Sequence, residues 1–104
     1  MIEQLMESAY LIVDHLRANG FTKEDQPHRQ ALAVAGEAGE FVEAYRRYTG
    51  QARRSDTREH VIEELADVMI TAAVTTAENH WPLDAAIQAK LEIIFTRGWR
   101  ELDG

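Results

Sequence analysis

No cysteine occurs among the 104 residues. Disulfides, thiolate metal sites and cysteine nucleophiles are therefore excluded, and any metal must be held by oxygen or imidazole. Proline is scarce, at two residues, and low-complexity tracts are missing, which argues against a disordered chain. Long apolar runs are lacking too. The longest, Val68 to Thr76, is interrupted by threonines and preceded by Asp67, so no membrane span is expected. Glu3 and Glu7 stand where a secretory leader needs a basic segment and an apolar core, and a cytoplasmic protein is expected. A formal net charge of -7 leaves no broad positive footprint for a nucleic-acid backbone. A small anionic ligand stays compatible with that charge if a cation intervenes. No segment alternates apolar and polar residues between hairpin turns, so no sheet is expected.

What remains is 45% hydrophobic residues arranged at helical spacing, in a length suited to one domain over residues 1–104. Ile2, Leu5, Met6, Ala9, Ile12, Val13 and Leu16 repeat at three and four, with Glu3, Glu7, Asp14 and Arg17 opposite, and Asn19-Gly20 stops this first helix. Pro27 suits the first turn of a second helix, capped by Asp25 or Gln26, running to about Tyr48 and ended by Gly50. Asp56 followed by Glu59 resembles a capping box that opens a third helix to about Asn79. After His80-Trp81-Pro82, a fourth begins at Pro82 or Leu83, with Ile87, Leu91, Ile94 and Phe95 expected inward and fraying near Gly98. The expected fold is an all-α four-helix bundle whose second and third helices form a central antiparallel pair.

Two carboxylate pairs dominate that central pair: Glu37 with Glu40, and Glu64 with Asp67. Residues three apart lie on one helical face, with Cβ atoms about 5 to 6 Å from each other. Both pairs are embedded in apolar sequence, Leu32, Val34, Ala35, Phe41 and Val42 around the first, Val61, Ile62, Leu65, Val68 and Met69 around the second. A short connection between long helices makes them antiparallel neighbours. The midpoint between the two pairs falls inside the expected turn, so the four carboxylates should sit at one level. Such a cluster needs protons or a cation to neutralise it. Hard oxygen donors without cysteine or a patterned histidine favour Mg²⁺ or Mn²⁺ over zinc. The absence of any E-x-x-H pair disfavours a di-iron bundle.

These residues resemble the MazG-like nucleotide pyrophosphohydrolases, an all-α superfamily marked by E-E-x-x-E and, after a short hairpin, E-x-x-D. The resemblance covers helices two and three well and helix four more loosely. It implies that Glu37, Glu40, Glu64 and Asp67 are Mg²⁺ ligands. Gly36 stands where the first Glu of the double-Glu signature is usual. Lys90 and Arg97 match basic residues that contact nucleotide phosphates in relatives, while Ile94 occupies the usual asparagine position. The implied reaction is house-cleaning hydrolysis of a nucleoside triphosphate to the monophosphate and pyrophosphate, with Glu40 or Glu37 as general base. The rivals are hydrolysis of another diphosphate linkage, as in phosphoribosyl-ATP, and a non-catalytic helical module that binds metal or nucleotide without turnover.

Other residues read more plainly. Arg46, Arg47, Arg53, Arg54 and Arg58 surround the central turn and read as a solvated charge run, the alternative being phosphate contact through a partner subunit or a folded-back loop. Glu43 and Glu63 flank the pairs off their faces, and His60, one turn before Glu64, reads as a surface histidine or as a support for that carboxylate. Phe21, Tyr45, Trp81 and Trp99 offer flat faces for packing or for a base. Helices two and three are apolar over more surface than two outer helices can cover, so a homo-oligomer, dimer or tetramer, is expected.

Overall fold

The computed structural model describes residues 2–98. Four α-helices follow one another: α1 (Ile2–Ala18), α2 (Gln26–Tyr48), α3 (Arg58–Asn79) and α4 (Leu83–Ile93), the last running into a π-helical turn at Ile94–Gly98. No strand occurs among the described residues. Trp99 lies outside them. Among the described residues, no helix is long and apolar enough to cross a membrane.

Packing centres on α3, which contacts α2 along the hairpin and α1 on another side. Small residues decide how closely α1 and α3 approach: Ala9, Ala73, Val74 and Ala77 are buried together, with Leu5, Met6 and Val13 around them. With so little side-chain volume between them the helix backbones can come close. At the far end Ala44 and Val61 are buried. The buried Glu78 near the end of α3 pairs with Arg17 near the end of α1, which also donates to the carbonyl of Thr22 at 3.1 Å. That arginine ties the α1–α2 connection to the base of α3.

The helix ends follow the expected signals except at two caps. Gly20 and Gly50 adopt positive φ just past α1 and α2, a conformation glycine enters without steric cost. Pro27 occupies the first turn of α2, but Asp25 makes no side-chain cap and instead exchanges bonds with Thr22. The cap of α3 is Thr57, not Asp56: Oγ1 of Thr57 accepts from the His60 N–H at 3.1 Å. Asp56 is pulled away by stronger, charged partners, Arg47 and His60.

A third correction concerns α4. Ile87 is half-buried, but Leu91, Ile94 and Phe95, expected inward, are exposed, Phe95 at 59%. Beyond its own π turn, α4 makes only sparse contact with the other helices. The resulting shape is open, 47 × 41 × 22 Å, with a radius of gyration of 16.7 Å against about 13 Å for a compact chain of this length.

Candidate metal centre

The hairpin connection, residues 49–57, is longer than the sequence suggests, yet it folds α3 back along α2 in the expected register. Carboxylate oxygens of Glu37, Glu40 and Glu64 lie within 4.8 Å of one another, an arrangement able to hold a metal ion. Asp67 stands outside this group and is exposed, but its charge reaches Glu37. Three of the four expected carboxylates thus converge closely and the fourth lies at their edge.

Electrostatics at the cluster are those of a site short of positive charge. The Glu37 carboxyl is held above the ordinary carboxylate range, first by burial, then by the charges of Glu40, Asp67 and Glu64, and by a hydrogen bond with Glu40. Oε2 of Glu37 and Oε2 of Glu64 are buried and have no hydrogen-bond partner. Oxygens so placed have given up water without gaining a partner, which disfavours the metal-free arrangement. A divalent cation removes both the repulsion and the orphaned lone pairs. The donor set is all oxygen, which fits Mg²⁺ or Mn²⁺.

His60 is not available as a ligand, because both its ring nitrogens face carboxylates. Nδ1 lies 2.8 and 2.9 Å from the two oxygens of Asp56, and Nε2 forms an ion pair with Oε1 of Glu64 at 3.0 Å. Two N–H groups satisfy that geometry in full, which favours the imidazolium form. Hydrogen bonding to Asp56 chiefly raises its pKa, with burial opposing and the Asp56 and Glu64 charges assisting. Asp56 in turn accepts from Nε of Arg47 at 3.1 Å and from the Thr57 N–H at 2.8 Å. The signal for this chain was present in the sequence as Asp56, His60 and Glu64 at successive steps of four.

The remaining expected residues are more dispersed. Lys90 is exposed on the last turn of α4, and Arg97 is exposed in the π turn. A π turn advances each residue by a smaller angle than an α-helix. The seven-residue spacing of the two basic residues therefore does not keep them strictly in line. Arg46 pairs with Glu43, whereas Arg53, Arg54 and Arg58 are exposed. The Arg29 guanidinium lies over the Phe21 ring at 5.8 Å, Tyr45 tilts against Phe41, and Trp81 is exposed.

Comparison with known protein families, with curated proteins and with solved structures returns no match.

Proposed function

We propose that the chain is a Mg²⁺-dependent nucleoside triphosphate pyrophosphohydrolase of MazG-like type, releasing the monophosphate and pyrophosphate. The observation that carries this reading is the convergence of Glu37, Glu40 and Glu64 oxygens within 4.8 Å in a chain without cysteine. Glu37, Glu40 and Glu64 would hold the ion, with Asp67 at the edge. When bound, Mg²⁺ supplies charge neutralisation for the substrate phosphates and lowers the pKa of a coordinated water.

The protein side chains supply the rest. Glu37 or Glu40 is the candidate to accept the proton of the attacking water, since both carboxylates stand in the converging group. Lys90 and Arg97 are the candidate phosphate contacts, on an arm that leaves them open to an incoming anion.

The same proposal includes a homodimer or larger homo-oligomer. An 11.8 kDa compact monomer exposes about 5,900 Å², whereas this chain exposes 8008 Å². The excess exceeds the ~800 Å² that each partner buries in a standard stable interface. Its apolar part includes Leu32, Val42, Ile62 and Met69 on the hairpin that carries the carboxylates. A second copy would cover this face and bring walls to the site.

The test is incubation of the purified protein with a panel of canonical and modified nucleoside triphosphates and Mg²⁺, assaying pyrophosphate against orthophosphate. Pyrophosphate release is expected, and Glu40→Gln and Asp67→Asn should lose it while retaining helicity. Absence of turnover with every triphosphate, together with tight metal binding, points instead to the non-catalytic module.

A further inference from the structure

Glu64 differs from the other converging carboxylates in having a fixed, charged neighbour on its outer side. Oε1 is engaged by Nε2 of His60 at 3.0 Å, while Oε2 is buried and unpartnered. The imidazole cannot swing freely, because Nδ1 is clasped by both oxygens of Asp56. Asp56 is itself fastened by Nε of Arg47, across the hairpin connection, and by the Thr57 N–H. The series Arg47, Asp56, His60, Glu64 thus runs from the end of α2, through the residue before the α3 cap, to a carboxylate two turns into α3.

We infer that His60 is a positioning residue: held by Asp56 and Arg47, it fixes the Glu64 side chain so that one oxygen is spoken for and the other is left to the Glu37–Glu40–Glu64 cluster. This rests on the metal-centre reading above. A glutamate has three rotatable side-chain bonds, and immobilising them before a cation arrives removes an entropic cost from binding. Hydrogen-bonded supports of carboxylate ligands typically change metal affinity 10- to 100-fold when removed. Closure of the hairpin and preparation of the site become one event, since Asp56 belongs to both.

A competing effect has the opposite sign. A positive imidazolium beside a divalent cation repels it, so if charge alone mattered, removing His60 would tighten binding. Glutamine separates the two effects, since it retains a donor able to reach Glu64 one turn on and carries no charge.

The experiment is a Mn²⁺ titration of the intact protein followed by electron paramagnetic resonance of the free ion, well below the melting temperature measured by circular dichroism. His60→Ala should weaken Mn²⁺ binding about 10- to 100-fold. His60→Gln should bind at least as tightly as wild type, and Arg47→Gln should weaken binding less than His60→Ala. A His60→Ala protein that binds Mn²⁺ as tightly as wild type, or more tightly, overturns the inference and leaves the metal centre standing. So does a His60→Gln protein as weak as His60→Ala while both remain folded. Wild type that fails to bind Mn²⁺, or Glu40→Gln that binds it unchanged, removes the metal centre itself and the inference with it.

Discussion

Arg17, exposed over 29% of its side chain, neutralises the fully buried carboxylate of Glu78 across the α1–α3 contact. The same guanidinium donates to the carbonyl of Thr22, so one side chain closes a buried charge and anchors a loop. Arg17→Ala leaves Glu78 without a counter-charge and should destabilise the domain by roughly 2 to 4 kcal/mol, discounted for the partly exposed arginine. Glu78→Gln, which removes the charge that needs an answer, should cost less. Urea melts of the two variants check the order, and a larger loss for Glu78→Gln would show that the pair is not what holds this contact.

Crowding of Glu37 by its acidic neighbours gives metal-free protein and metal-bound protein opposite responses to one substitution. Glu40→Gln removes a charge that raises the Glu37 pKa. In the presence of chelator its melting temperature should rise above wild type, since like-charge repulsion is relieved. On adding Mg²⁺ the order should reverse if the proposed metal centre forms, because binding to the native state would stabilise wild type and not the variant. Calorimetry with and without Mg²⁺ reads both signs.

The Asp56–His60 pair sets a pH window for the stability of the metal-free protein. Asp56 is held below its ordinary value, chiefly by its bond to His60, then by the Thr57 N–H and by Arg47 against opposing burial. Its contribution is present above the unfolded carboxylate pKa and fades as pH falls through the lowered native value. His60 is raised, so its contribution is full below about 6.5 and fades as pH climbs through the raised native value. Denaturation midpoints should therefore fall on the alkaline side more steeply in wild type than in His60→Gln. Parallel curves would mean that the imidazolium contributes nothing to folding.

Leu32, at 75% exposure, is the most open large apolar residue on α2 and marks the face that a second copy is proposed to cover. Wild type should elute and scatter as at least a dimer of the 11.8 kDa chain at micromolar concentration. Leu32→Glu should shift it toward the monomer by placing an unpaired charge in the interface. A clean wild-type monomer would refute the oligomer proposal.

Gly36 and Gly39 flank Glu37 inside α2, and a Cβ added at either meets nothing within 4 Å. Glycine in a helix interior costs roughly 0.5 to 1 kcal/mol relative to alanine. Gly36→Ala and Gly39→Ala should each stabilise by about that amount, seen as a higher urea midpoint. Loss of stability at either position would show that a partner chain approaches the backbone there.

The helices were legible because their signals are local: apolar spacing, Pro27, and glycines just past α1 and α2. The meeting of Glu37, Glu40 and Glu64 was legible for a different reason, since two long helices joined by a turn leave little freedom in register. Asp56 and Thr57 offer the same local capping bond, and the charged partners of Asp56, His60 one turn on and Arg47 across the connection, decide between them. The α4 pattern was real, but an apolar stripe in sequence states that a face seeks cover without saying which chain provides it. Leu91, Ile94 and Phe95 therefore pointed inward in expectation and outward in the fold.

His80 gives the arm its direction. It caps α3 in the left-handed conformation, φ 54° and ψ 39°, the region that non-glycine residues enter sparingly. Its imidazole stacks against the Tyr10 ring of α1, centroids 6.0 Å apart. The first helix thus touches the junction between α3 and α4. Loss of the Tyr10 ring would therefore remove a contact between the first helix and the junction that precedes the last one.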